Sequence, residues 1–222
     1  MNKLRISKGW LATIIIVVVI LIDQISKIWV KTHFFLGEDC TVFSWFHLVF
    51  VENNGMAFGW ELGSKFFLTW FRIIAVCLLI YYLVKLRKSA TVPLGYVACI
   101  ALITAGALGN VLDCIFYGIT FSGSTPMAVA QAFPEGGGYG TLFNGFVVDM
   151  FQFRLGNWPD WMPIVGGKGL FDFVFNFADA CLSVSVVVLI LFYAKYLTSD
   201  STKTEVEAPE SDSEEKEAEN EA

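Results

Sequence analysis

Phe175-Asn176-Phe177-Ala178-Asp179 places an amide and a carboxylate at the start of an apolar run that continues to Leu197. Residues three apart lie on one face of a helix, so Asn176 and Asp179 point the same way. A carboxylate within an apolar span is costly in lipid and marks a functional-site candidate. The stretch therefore predicts a membrane helix whose first turn carries a functional acid.

The rest of the chain is equally apolar: 55% of its 222 residues are hydrophobic and only 16% are charged. Such residues bunched into long runs are typical of a polytopic membrane protein and exclude an ordinary soluble domain. We predict an α-helical integral membrane protein with four transmembrane helices. The spans are residues 11–30, 66–84, 93–116 and 173–197.

The charges around these spans predict their orientation. Basic clusters at 3–8 and 85–88 mark the cytoplasmic side, so both termini are cytoplasmic and the loops 31–65 and 117–172 lie outside. The first span follows a basic start like a signal peptide, but it lacks a small-x-small cleavage site and stays attached. The aromatic stretch 42–51 and the Asn53-Asn54-Gly55 turn predict a small β-rich outer (periplasmic) segment between helices 1 and 2.

Composition divides the chain into a membrane domain, residues 1–198, and an acidic tail, residues 199–222. The tail has a net charge of −8 and the remainder +2. We expect a disordered, solvated cytoplasmic tail, with a docking role as the alternative. Nothing favours nucleic acid as a partner. Five Cys without a CxxC pair and two distant His favour neither a metal site nor a cofactor.

Polar residues recur within the predicted spans. Asp23 and Lys27 are four residues apart, the spacing of an ion pair on one helix face. Such a pair has a functional role or, equally well, serves only to neutralise two buried charges. Gly106, Asn110 and Asp113 fall on one face of the third span. Close packing against a neighbouring helix explains the presence of Gly106 well but that of Asp113 poorly.

Four acids, Asp23, Asp113, Asp149 and Asp179, then occupy one level near the outer surface. Two close carboxylates share a proton, so one can activate water while the other polarises a carbonyl, as in aspartic proteases. Buried carboxylates equally suit a small proton-coupled membrane transporter, and the residues alone leave both classes open. A structural membrane subunit explains the acids poorly.

The ordered motifs resemble the lipoprotein signal peptidase (type II signal peptidase) family of bacteria. They are Asp23-Gln24-x-Ser26-Lys27, Asn53-x-Gly55-x-Ala57-Phe58, Gly106-Ala107-Leu108-Gly109-Asn110-x-x-Asp113, Val147-Val148-Asp149 and Phe175-Asn176-x-Ala178-Asp179. Each is weak alone, but five in family order are specific. The resemblance covers roughly residues 10–197.

The resemblance implies an intramembrane aspartic endopeptidase of the bacterial cytoplasmic (inner) membrane with its active site near the outer face. Its substrate is a prolipoprotein bearing a diacylglyceryl-Cys, cut just before that Cys; membrane lipid is the other partner, and we expect a monomer. The motifs assign Asp149 and Asp179 as catalytic. The residues assigned to substrate binding or support are Asn53, Gly55, Asn110, Asn176, Asp23, Lys27 and Asp113.

The chain departs from the family pattern twice. Cys114 stands where the family usually has Arg after the Asp of the third motif, and Arg154 or Lys168 is a possible replacement. The segments 118–146 and 153–171 also make the outer loop longer than is usual in the family. They are either lids over the site or surface insertions without a specialised role.

Overall fold

A computed structural model describes residues 6–54, 65–171 and 173–198. Four helices in this part of the chain are long and apolar enough to cross a membrane. They are α1 (Lys8–His33), α2 (Lys65–Leu86), α3 (Leu94–Thr120) and α4 (Phe177–Thr198). The prediction of four transmembrane helices is therefore confirmed, and the helix ends lie within about four residues of the predicted spans.

Local sequence explains where the helices begin. The hydroxyl of Ser7 accepts a hydrogen bond from the amide of Trp10 at 3.3 Å and caps α1. Pro93 precedes α3 with its φ of −71°, and a proline at a helix start has no amide to leave unpaired. Helix α3 is central, since it packs against α1, α2 and α4.

Four antiparallel strands form one sheet at the end of the molecule where α1 and α3 end, in the order β1-β2-β3-β4. The strands are β1 (Asp39–Phe43), β2 (Phe46–Asn53), β3 (Val147–Phe153) and β4 (Val174–Phe175). The predicted β segment between α1 and α2 supplies only the first two. Segments beyond α3 supply the others, so the sheet joins parts of the chain that are distant in sequence.

Buried side chains form three layers along the helix axes. One apolar cluster includes Ala12 of α1 and Tyr96 of α3. A second, at the sheet, includes Phe34, Tyr117 and Phe50. Polar residues of both helices lie between these clusters, at the level of Asp23. The fold thus holds one polar layer between two apolar ones.

Two predictions lie outside the described residues. They concern Gly55, with the motif that follows it, and the acidic tail 199–222.

Candidate active site

Asn176 and Asp179 form a reciprocal capping box at the start of α4. The side-chain oxygen of Asn176 accepts a hydrogen bond from the amide of Asp179 at 2.9 Å. The carboxylate of Asp179 accepts one from the amide of Asn176 at 3.3 Å. The pair satisfies two amides that a helix N-terminus leaves without partners. The spacing of three that placed them on one face therefore also fixes the Asp179 carboxylate at the helix start.

Asp149 lies on β3 and is only 3% exposed. The side-chain amides of Asn176 and Asn53 donate to its two carboxylate oxygens at 2.7 Å and 3.2 Å. Asn53 reaches it diagonally across the sheet, because Asn53 pairs with Val147 and the neighbouring Val51 pairs with Asp149. Asn176 thus contacts both Asp149 and Asp179 and holds the two acids side by side.

Asn110 on α3 connects this pair to the helix core. Its amide nitrogen donates to Asp179 at 2.7 Å, and its oxygen accepts from Lys27 at 2.8 Å and from Asn176 at 3.1 Å. A lysine ammonium only donates, so the oxygen of Asn110 must face Lys27 and its NH₂ group must face Asp179. Lys27 therefore sets the orientation of the Asn110 side-chain amide, which contacts Asp179.

Lys27 is fully buried and its ammonium lies 2.8 Å from both Asp23 and Asp113. The predicted Asp23–Lys27 pair thus forms, with Asp113 as a third member. Gln24 adds a bond of 2.8 Å to Asp113. Asp23 also accepts the amide of Ala178 at 3.0 Å, in the first turn of α4. Removing one partner from such a buried ion cluster typically costs about 3–5 kcal/mol.

The glycines of the third motif let α4 approach α3 closely. A Cβ at Gly106 would lie 2.4 Å from the carbonyl oxygen of Ala178, and one at Gly109 would lie 2.6 Å from Asp23. The surface of α3 that packs against α4 is therefore the same surface that carries the polar residues Asn110 and Asp113. The small residues let the start of α4, which carries Asp179, approach α3 at the depth of Lys27.

Burial dominates the electrostatics of Asp149. Burial first, and the neighbouring Asp179 second, raise the pKa of this carboxyl to about 7, against the opposing effect of the Asn53 and Asn176 amides. A carboxyl group in this environment retains a proton near neutral pH. In the described ranges no three His, Cys, Asp or Glu side chains are grouped as a metal ion would need.

A cleft of about 980 Å³ opens onto the two acids. Its other walls are mainly aromatic and aliphatic side chains of the sheet, the following loop and α4. Those of the sheet and loop are Phe46, Phe151, Phe153, Phe171, Phe173, Val174 and Phe175. The arrangement suits an apolar ligand with a polar group near Asp149 and Asp179.

The two lengthened loop segments differ in their relation to this cleft. Phe171 of segment 153–171 lines it. Segment 118–146 instead folds back on the C-terminal end of α3, where the amide of Gly145 bonds to the carbonyl of Cys114 at 2.8 Å. It is also tied through Ser124 to the Lys31–Glu52 ion pair. That buried pair did not emerge from the sequence, because its members are 21 residues apart.

The structure brings together eight of the nine predicted site residues, all except Gly55, which is not described. The proposed replacements for the missing arginine lie elsewhere: Arg154 pairs with Asp39, and Lys168 lies in the loop between β3 and β4. Arg72 of α2 reaches Cys114 instead. Sequence reasoning missed Arg72, although a charged residue within the second apolar run was a visible signal.

Comparison with known proteins gives one consistent result. The family model for signal peptidase (SPase) II matches residues 15–195. A lipoprotein signal peptidase of Porphyromonas gingivalis is 48% identical over 195 residues, covering 86% of each chain. That of Amoebophilus asiaticus is 32% identical over 191 residues, covering 83% of this chain and 78% of the relative.

The fold is also similar to a solved structure described as a bacterial membrane enzyme. The TM-score is 0.56 at 25% sequence identity, and the match covers 89% of this chain and 94% of the solved one.

Proposed function

This chain belongs to the signal peptidase II family, and from that premise we propose that Asp149 and Asp179 are the catalytic pair that cleaves its prolipoprotein substrate. The protein is a multi-pass bacterial membrane enzyme of the aspartic peptidase type. The observation that carries the site assignment is Asn176, which donates to Asp149 and shares the capping box with Asp179.

The environments of the two acids support a division of labour. Asp149, with its pKa raised to about 7, holds the proton shared by the pair and donates it to the scissile carbonyl. Asp179 accepts hydrogen bonds from Asn110 and from the amide of Asn176. A carboxylate has about four lone-pair sites, so acceptor capacity remains for a water molecule. Asp179 then takes a proton from that water as it attacks the carbonyl.

The apolar cleft supports a lipid-bearing substrate. Its phenylalanines offer acyl chains an apolar surface next to the two acids. We propose that the diacylglyceryl group of the substrate Cys occupies this cleft, which brings the preceding peptide bond to the dyad. Phe171 of segment 153–171 then forms part of the lipid-binding wall.

The charge pattern and the four spans found in the described residues support a location for the enzyme. We propose that the enzyme lies in the inner membrane with both termini in the cytoplasm and its sheet at the outer face. We propose further that it acts as a monomer. The comparisons give the proton-coupled transporter no support.

Substitution of the dyad tests the assignment. Asp149→Asn and Asp179→Asn are each expected to lower the cleavage rate of a diacylglyceryl-modified prolipoprotein by at least about a thousandfold, because each removes a proton-transfer group. The measurement is cleavage in detergent by purified variants whose thermal unfolding is monitored in parallel.

The same substrate without its lipid is the matched control for the cleft and should be a poor substrate for the wild type. Substantial cleavage by either folded variant would exclude the proposed dyad.

A further inference from the structure

Arg72 is a charged side chain within a membrane-spanning helix. It lies in the span Phe67–Leu86, seven residues after Lys65, where α2 begins. At a rise of about 1.5 Å per residue, it lies roughly 10 Å along the helix from its outer end. An ionisable residue at such a position is costly unless a partner or a function compensates.

The partner that the structure provides is weak. One guanidinium nitrogen of Arg72 donates to the sulfur of Cys114 at 3.3 Å, the one side-chain partner it has among the described residues. A thiol is a poor acceptor, whereas a guanidinium carries five N–H donors. Most of these donors therefore remain available to a ligand that presents oxygen atoms.

The position of Cys114 places this guanidinium close to the dyad. Cys114 follows Asp113 and lies four residues after Asn110, whose amide bonds to Asp179. One helical turn is about 5.4 Å, so Arg72 contacts α3 one turn from the residue that touches the catalytic acid. The contact lies on the outer side of Asn110, since α3 runs toward the sheet.

The packing of the helices relates Arg72 to Asp179. Helix α3 packs against both α2 and α4, while within the described part of the chain α2 and α4 make no extensive contact with each other. Since Asn110 and Cys114 are four residues apart on α3, Asp179 of α4 and Arg72 of α2 contact adjacent positions on that helix. A peptide segment extending from Asp179 toward α2 would therefore come within reach of the guanidinium.

We propose that Arg72 is a substrate-binding residue whose guanidinium donates to backbone carbonyl oxygens of the lipidated peptide beside the scissile bond. An extended peptide at membrane depth has carbonyl groups that need donors, and the planar guanidinium can serve two of them at once. The cation that the family usually carries at the position of Cys114 then comes here from the neighbouring helix. This inference rests on the proposed function.

The test measures cleavage of a lipidated substrate in detergent micelles free of phospholipid, so that no lipid phosphate can occupy the guanidinium. Arg72→Gln is expected to lower kcat/KM by about 10- to 100-fold, mainly through a higher KM, as for the loss of a hydrogen bond from a charged donor. Arg72→Lys should fall between the wild type and Arg72→Gln, because the charge remains without the planar fork.

A transplanted arginine distinguishes substrate binding from a structural role. In Arg72→Ala the space beside the Cys114 sulfur is vacated, so adding Cys114→Arg returns a guanidinium to the same place from α3. The double variant is expected to recover at least tenfold in kcat/KM over Arg72→Ala. Arg154→Gln, which removes an arginine paired with Asp39 at the sheet edge, should cleave like the wild type.

Three outcomes would overturn the inference: wild-type kinetics in Arg72→Gln, failure of the folded double variant to recover, or an equal loss in Arg154→Gln. Asp149→Asn, assayed in parallel, separates this inference from the proposed function. If Asp149→Asn is inactive and Arg72→Gln is not impaired, only the role of Arg72 fails. If Asp149→Asn cleaves, the proposed dyad fails as well.

Discussion

At the scale of single residues, Asn176 uses every polar group of its side chain and its amide to arrange the two acids. Its NH₂ group donates to Asp149 and Asn110, its oxygen accepts from the amide of Asp179, and its own amide donates to Asp179. The amide of Asp179 can only donate, so the orientation of the Asn176 side chain is fixed. One asparagine therefore couples the start of α4 to β3.

The ionisation of Asp149 predicts a pH-dependent stability. Its pKa rises from 3.8 to about 7 on folding, so between these values the folded protein holds a proton that the unfolded chain releases. This contribution to stability is fully present below about pH 4 and is lost as the pH rises through about 7. At about 1.4 kcal/mol per pKa unit, the loss is up to about 4 kcal/mol.

Thermal unfolding in detergent between pH 5 and pH 8 measures the effect. Asp149→Asn has no proton to lose at this position, so its Tm relative to the wild type should increase as the pH rises. Parallel Tm profiles for the two proteins would contradict the raised pKa of Asp149.

The sequence predicted most individual site residues, because they occur in short ordered motifs. Asp23 and Lys27 were paired from helical spacing alone. Arg72 was not found, since its link to Cys114 spans 42 residues and depends on how α2 packs against α3. No local pattern encodes such a contact.

At the scale of elements, the seam between α3 and α4 positions the start of α4, which carries Asp179. Gly106 and Gly109 leave room for the first turn of α4, whose Ala178 amide bonds to Asp23. The polar layer holds the same turn through the bond from Asn110 to Asp179. Packing and hydrogen bonding therefore act on one helix end.

Gly106→Ala tests this seam. Its new Cβ would lie 2.4 Å from the carbonyl oxygen of Ala178, so α4 must shift. Overpacking of this kind costs about 1–3 kcal/mol, against a gain of about 1 kcal/mol in helix propensity. We expect a lower Tm and a clear loss of cleavage, because the shift displaces Asp179.

The matched control is Gly9→Ala in α1, where the nearest heavy atom to the added Cβ is 3.9 Å away. It adds a helical methyl group without a clash, so it should leave cleavage unchanged and Tm equal or higher. Equal behaviour of the two variants would show that the α3–α4 seam tolerates a methyl group.

Hydropathy predicted the helices but only half of the sheet. Each span is a long apolar run that can satisfy its own backbone groups, so its signal is local. Strand β4 has only two residues, and β3 pairs with β2 across a gap that contains α2 and α3. Strands of this kind are defined by their partners, and although their residues belong to recognised motifs, no local pattern marked them as strands.

At the scale of the whole molecule, the proposed orientation places the sheet outside the membrane and the turn between α2 and α3 inside. The native cysteines make this testable. Cys40 lies exposed on β1, while Cys77 lies within the span of α2, where lipid disfavours the thiolate that labelling requires. Cys99 and Cys114 are buried, and Cys181 is partly buried in α4.

We therefore expect Cys40 to be the cysteine that a membrane-impermeant maleimide labels in intact cells stripped of their outer membrane. Cys40→Ser should abolish that labelling. In the Cys40→Ser background, Ala90→Cys places a thiol at an exposed position between α2 and α3, and it should react only after the membrane is permeabilised. Labelling of this Ala90→Cys variant in sealed cells, together with no labelling of Cys40 in the wild type, would show the opposite orientation. It would then place the dyad on the side where a prolipoprotein with a translocated lipid-bearing Cys cannot reach it.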